Sequence, residues 1–341
     1  RVADSTVSQA EDNEKSSEPY LHRVGDLRGH ESRIFTAEFS PSDERLLATS
    51  SEDATVRVWD VCTGRELHRV QGHGDDAVYS VAWSPEGAML ATAGADGRLC
   101  IWNASTLEQK QVLAMEGDVF AGVFVDGQRR VVSASDSCIT LWDIETGTAL
   151  IRSNATAATG FVFGGLERNP AATPYVFAMR HSAERQLLAL AVSDATMRIW
   201  DMDLAERVVL KGHGRDVCSV TLRGDGDEML SGSGDNMAGV WDLRGLRVRH
   251  VLRGHTGTVH DCCYLSTGAV CTVSNDRTIR LWDDEGRQTR QVGPDHTAKL
   301  CCGSSPAMVA VGGGENKSHT GGDFRVVLWS PQHDARYRLA R

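Results

Sequence analysis

Lysine is almost missing from this chain. Only Lys15, Lys110, Lys211, Lys299 and Lys317 occur, so nearly all of the 36 basic residues are arginine. Against 46 acidic residues this leaves a net charge of −10, which argues against the broad basic footprint that tracks a phosphate backbone and leaves a local basic patch open. Direct nucleic-acid binding is therefore not expected. Long apolar runs are missing too. None approaches the roughly 20 residues of a spanning helix, so no membrane insertion is expected. No Cys-x-x-Cys pair exists, and the adjacent pairs Cys262-Cys263 and Cys301-Cys302 fall on opposite faces of a strand, so no metal site is expected. Nine cysteines, an odd number lying mostly inside β-forming phrases, read as small hydrophobes in a reducing compartment, cytoplasmic or nuclear and not secreted. The sequons at Asn103, Asn154 and Asn316 are then chance matches. Gly312-Gly313-Gly314 lacks a following Lys-Ser/Thr in phosphate-loop spacing, so no nucleotide cofactor is implied.

What the chain has in abundance is one phrase. A run of β-formers ends in Trp-Asp or a near variant at Trp59, Trp102, Trp142, Trp200, Trp241, Trp282 and Trp329. Most gaps lie between 40 and 47 residues, with one of 58 between Trp142 and Trp200. A second mark precedes the phrase as Gly29-His30, Gly72-His73, Gly212-His213, Gly254-His255 and, more weakly, Asp295-His296. A repeat of about 40–45 residues with this mark is the sequence pattern of four-stranded propeller blades. The chain resembles the WD-repeat (WD40-type) family over about residues 20–330, which implies an all-β fold, a closed seven-bladed β-propeller of four-stranded antiparallel blades.

Two segments are distinguished: residues 1–19, polar, acidic and too poor in apolar surface to order, and 20–341, a single propeller. Because the chain begins at Arg1 rather than Met, targeting segments upstream stay open. Six outer strands are assigned near 66–70, 108–113, 148–152, 206–210, 247–252 and 288–292. The seventh blade has two candidates, Leu21–Leu27 and Arg336–Ala340. The first matches the blade-one strand (Leu21-His22-Arg23-Val24 against Leu67-His68-Arg69-Val70) and is expected to close the ring. Extra length falls at residues 153–174 and 312–322, on the rim that the family calls the top.

Residues at matched offsets look like repeated catalytic triads and are better read as structure. The sets are His30, Thr49, Asp53, Trp59; His73, Thr92, Asp96, Trp102; His213, Ser231, Asp235, Trp241; and His255, Thr272, Asp276, Trp282. The resemblance implies that the Asp accepts from the His, the His engages the hydroxyl, and the hydroxyl accepts from the indole N–H. Four copies on four blades cannot serve one substrate, and neither a nucleophile elbow nor an oxyanion hole accompanies them. Paired carboxylates in the channel are not assigned, so no enzyme is expected. Blade three has Glu116-Gly117-Asp118 where Gly-His belongs, blade four has Leu190 where the hydroxyl belongs, and blade seven keeps His296 and Asp323 without an obvious hydroxyl; these blades are expected to rely on packing alone.

The resemblance places the residues flanking the first strand's leading aliphatic at the top entrance of the channel. These include Arg33, Phe35, Tyr79, Asp118, Phe120, Tyr175, Phe177, Asp216, His260 and Lys299. An aromatic recurs at one position in four consecutive blades, Phe35, Tyr79, Phe120 and Phe177, although the chain has only 13 Phe and Tyr. Clustered rings mark a protein-binding surface. The function read from this is a non-catalytic scaffold, binding other proteins or peptide segments as a subunit of a hetero-oligomeric assembly. Trp241-Asp242-Leu243-Arg244 resembles the box through which substrate receptors of cullin-type ubiquitin ligases dock on their adaptor, and Arg244 is the residue that it implies.

Overall fold

The computed structural model describes residues 22–136, 138–153, 175–293, 298–304, 309–313 and 324–330, with side chains of His22, Ala298–Ser304 and Gly313 excepted. Residues 1–19, the long connections at 154–174 and 314–323, His296, Asp323 and the segment 336–340 lie outside them.

Strand β1 (His22–Arg28) comes first in the chain and last in the architecture. Blade one follows as β2 (Ile34–Phe39), β3 (Leu46–Ser51), β4 (Val56–Asp60) and β5 (Arg65–Val70). Blade two is β6 (Val78–Trp83), β7 (Met89–Gly94), β8 (Arg98–Asn103) and β9 (Gln109–Ala114). Blade three is β10 (Val119–Asp126), β11 (Arg130–Ser135), β12 (Ile139–Asp143) and β13 (Ala149–Ser153). Blade four is β14 (Val176–Ser182), β15 (Leu187–Val192), β16 (Thr196–Asp201) and β17 (Glu206–Lys211). Blade five is β18 (Val217–Leu222), β19 (Glu228–Ser233), β20 (Met237–Asp242) and β21 (Arg247–Arg253). Blade six is β22 (Val259–Tyr264), β23 (Val270–Ser274), β24 (Ile279–Trp282) and β25 (Gln288–Val292). Blade seven holds β26 (Ala298–Ser304), β27 (Val309–Gly313) and β28 (Arg325–Ser330), completed by β1.

Every sheet is antiparallel in simple order, and the seven first strands contact one another around the axis, β2 meeting both β6 and β26. The Trp phrase forms the third strand of each blade because its alternating apolar residues suit a strand packed on both faces. Tight turns between second and third strands use Asp for a local reason. Asp53, Asp194, Asp235 and Asp276 each accept the N–H two residues on, at 2.9–3.0 Å. The residue between adopts the left-handed region, as at Asn236 (φ 69°). The glycine of the Gly-His mark also has a steric cause: a Cβ at Gly72 would lie 2.2 Å from the Trp102 ring.

The core lies between blades. Ala48, Val56 and Val58 of blade one pack with Val78, Val81, Leu90 and Trp102 of blade two, and the other neighbours repeat the pattern. Trp59, Trp200 and Trp282 are at most 1% exposed, and truncating such a ring to Ala costs about 3–5 kcal/mol.

A β-bulge follows the leading aliphatic of every first strand, at Ile34/Thr36, Val78/Ser80, Val119/Ala121, Val176/Ala178, Val217/Ser219, Val259/Asp261 and, longer, at Ala298/Cys301. Strict alternation, the basis for aiming Phe35 and its counterparts, therefore does not hold there. Ile34, Ala37 and Phe39 enter the core, while Phe35 and Thr36 both line the axial cavity. The extra residue per strand turns two consecutive side chains to one side.

The N-terminal strand closes the ring. β1 pairs with β28 from His22↔Ser330 to Arg28↔Arg325. Leu27, 1% exposed, packs with Ile34, Val326 and Leu328, and Asp26 binds the buried Arg325 guanidinium at 2.9 Å. Removing residues 1–21 leaves this latch intact, whereas removing residues 1–28 strips β28 of its partner and opens Leu328 to water. The longer truncation should elute as aggregate in size-exclusion chromatography and the shorter as a folded monomer.

Candidate functional site

The polar network is the first thing the blades build. In blade one, His30 Nδ1 lies 2.8 Å from Asp53, its Nε2 2.7 Å from Thr49 Oγ1, and the Trp59 indole N–H donates to the same hydroxyl at 2.9 Å. Blade two repeats this through His73, Asp96, Thr92 and Trp102 at 2.8, 2.8 and 2.9 Å. Blade five uses His213, Asp235, Ser231 and Trp241 at 2.9, 2.7 and 2.8 Å. Blade six uses His255, Asp276, Thr272 and Trp282 at 2.8, 2.8 and 2.9 Å.

Burial pushes the His30 and His255 pKa values down, so the rings are held neutral. Burial would raise the partner carboxyls. Hydrogen bonds overcome it and hold Asp53 well below the usual range and Asp276 at about 2. In blade one a buried arginine joins the set. Arg57, 1% exposed, reaches Thr55 at 3.3 Å and Glu66 at 2.7 Å. In blades one, five and six the His, hydroxyl, indole and carboxylate groups of the set all find partners, which is what keeps such a network from costing stability, while Asp96 Oδ2 of blade two has none among the described residues.

Blade three corrects one expectation. It does not rely on packing alone: Trp142 donates to Ser133 Oγ at 2.8 Å, and Ser133 lies 2.9 Å from Met115 Sδ, which stands where the His ring would be. Trp200 and Trp329, by contrast, find no acceptor among the described residues, and the fully buried Leu190 explains the first.

The rings at the axis form a continuous arc. Centroids lie 5.4 Å apart for Phe35–Tyr79, 5.3 Å for Tyr79–Phe120, 5.3 Å for Phe120–Tyr175 and 4.5 Å for Tyr175–Phe177. Phe120 and Tyr175 are buried, so the reachable ring surface comes from Phe35, Tyr79 and Phe177. These three, with Phe120, Arg33 and His260, line an axial cavity of about 620 Å³. Arg33 leans on Glu52 at 3.7 Å. Tyr79 donates to Asp118 at 2.9 Å, and the Asp118 N–H to Asp136 at 3.1 Å. Asp216 sits close enough to Tyr175 to help hold its hydroxyl protonated, after burial itself. Lys299 is in β26, its side chain outside the described residues.

Sequence reasoning missed the charges inside this cavity. Glu38, Arg180 and Asp261 line it, with Thr36, Ser80 and Ser219. Two carboxylates, Glu38 and Asp261, thus line the channel, where the sequence reading placed neither. Loss of hydration pushes Glu38 up from 4.5 to about 7; Arg180 opposes the shift and Asp261 adds to it. Glu38 and Arg180 stand four residues after the leading aliphatics Ile34 and Val176, and Asp261 stands two after Val259, at the bulge itself. Among the described residues no group of three or more His, Cys, Asp or Glu is placed to hold a metal ion.

The ring of seven sheets and its His–hydroxyl–indole braces define the class, a seven-bladed β-propeller built from repeats. The family model for the WD domain, G-beta repeat, matches residues 21–60, 64–103, 205–242 and 246–283, each match running from an outer strand through the next three. The chain belongs to the WD-repeat family. It is 25% identical over 230 residues to a guanine nucleotide-binding protein subunit beta of Oryza sativa subsp. japonica, covering 64% of this chain and 57% of that one. Coronin-7 of Rattus norvegicus is 44% identical over 77 residues, 23% of this chain and 8% of that one. Protein tipD of Dictyostelium discoideum is 30% identical over 157 residues, 45% and 24% respectively. The chain thus spans less than two thirds of the length of these relatives. A protein-interaction scaffold fits this kinship, and no helix of the described residues is long and apolar enough to cross a membrane.

Asp235→Ala should leave His213 and the Gly214 N–H without their acceptor, lowering stability by about 1–3 kcal/mol in chemical denaturation. Glu38→Gln should do the reverse above neutrality. Its folded pKa of about 7 lies above the ordinary 4.5, so the native state holds a proton that the unfolded chain has released between these values. The stability carried by that proton is lost as pH rises through this window. Thermal melts should therefore show the variant gaining on the wild type at about pH 8 and matching it at about pH 4.

Proposed function

We propose that this protein is a non-catalytic protein-interaction platform that takes a partner at the channel mouth beside Phe35, Tyr79 and Phe177. The observation that supports it is the aromatic arc: rings from four consecutive blades touch in series around one cavity. Rings bury much area at little entropic cost, which makes them anchors. Other proteins or peptide segments are the partners, within a hetero-oligomeric assembly, and the compartment is a reducing one, cytoplasmic or nuclear. The His–Ser/Thr–Asp sets brace the blades, and the single propeller runs from 20 to 341 behind an acidic tail.

A second reading, docking on a ubiquitin-ligase adaptor through Arg244, has one observation in its favour. The Arg244 side chain is 72% exposed, on the rim opposite Val217, although its guanidinium engages Asp227. Replacing Phe35 and Tyr79 together by Ala should weaken the principal partner by more than about 2 kcal/mol with circular dichroism unchanged. Glu86→Ala on the far rim should change little. Loss of binding in Glu86→Ala alone would mean the other face is used. Selective loss of an adaptor in Arg244→Ala, with other partners kept, would favour the second reading.

A further inference from the structure

We propose that the cavity takes its partner through a basic side chain, arginine or lysine, which passes the aromatic arc and meets Glu38 and Asp261 within. This rests on the channel-mouth reading above and adds the chemistry of what enters.

Three observations converge. The wall of blades one to four offers ring surface, and a cation over an aromatic face is attracted by its quadrupole. Deeper, Glu38 of β2 and Asp261 of β22 line the same space. At the rim, Asp118 and Asp136 crowd Tyr79, while Asp216 and Asp136 crowd Tyr175, and after burial these charges hold both phenols protonated. Opposing them are two arginines: Arg33, leaning on Glu52, and Arg180 of β14, which donates to the Met179 carbonyl at 3.0 Å.

Other occupants fit worse. An acidic side chain reaching Arg180 would meet Glu38 and Asp261. An apolar one would displace water from two carboxylates and give nothing in exchange, which costs more than the ring contacts return. A guanidinium or ammonium brings positive charge to an inner cavity lined by two carboxylates and one arginine, and Ser80, whose Oγ has no partner among the described residues, offers it a neutral acceptor on the same wall.

Binding should then depend on pH. Of the strands facing Glu38, β14 presents Arg180 and β22 presents Asp261 and His260. β6 presents Ser80 and Ala82 below Tyr79, β10 presents Ala121, and β18 presents Cys218 and Ser219. Side chains of β26 lie outside the described residues. A bound cation favours the ionised carboxylate. Affinity therefore rises with pH through the range in which Glu38 of the empty site gives up its proton.

The test uses the full chain and a displayed library of random peptides, selected on the wild type at about pH 8. Enriched peptides should share an arginine or lysine. In a synthetic copy of the best peptide, titrated by calorimetry, replacing that residue by citrulline or norleucine should weaken binding at least about tenfold. Glu38→Gln should cost a similar factor and flatten the fall in affinity between about pH 8 and pH 6. Circular dichroism checks that this variant folds, and Phe35→Ala with Tyr79→Ala reports on the arc alone. Peptides that need Phe35 and Tyr79 but tolerate citrulline or Glu38→Gln would overturn the basic side chain and leave the platform standing. Peptides indifferent to both rings, or no enrichment, would overturn the two together.

Discussion

The pairing of β1 with β28 is the constraint on which the other contacts depend. A single blade is an open sheet with apolar residues on both faces, and each face is covered only by a neighbouring blade. Six blades in a row would leave two such faces in water, and a seventh of three strands would leave an unpaired edge. The latch removes both defects with seven residues whose core contribution, Leu27, packs directly onto blade one. Asp26 gives the pairing a polar anchor, since the buried Arg325 guanidinium has its counter-charge there.

Within that frame the blades divide by how they satisfy their tryptophan. Four use the complete His–hydroxyl–Asp set, one substitutes a methionine sulfur, and Trp200 packs its N–H against an apolar Leu190. Blades three and four, which depart from the pattern, also carry Phe120, Tyr175 and Phe177 of the arc. Their upper rim is held by ring contacts and by the Tyr79–Asp118–Asp136 chain instead of by histidine.

The blades could be read from the sequence because their cause is local. The Trp phrase, the Gly whose missing Cβ admits an indole, and the turn Asp each act within about one repeat, so each leaves a mark at fixed spacing. The N-terminal strand was legible for the same reason, by likeness to Leu67–Val70. The cavity charges were not. Glu38, Arg180 and Asp261 come from blades one, four and six and meet only because a ring brings the first strands to one axis. The bulge after each leading aliphatic also shifts the alternation by one, so a period-two reading sends Thr36 and its counterparts to the wrong side. Arg57 was missed for a further reason: an arginine in a strand reads as solvated until its three polar partners are seen around it.

The latch also fixes when the molecule can exist. Its charged pair joins residues 299 positions apart, Asp26 and Arg325, so the contact that completes the ring spans all seven blades. Chain growth on the ribosome delivers blades one to six in order, yet β1 must wait, unpaired, until β28 emerges. Topology of this kind places the entropic cost of closing a very long loop ahead of its reward. A nascent chain therefore carries an open strand edge from the emergence of β2 until that of β28, and a stop codon anywhere in that stretch leaves the ring unclosed.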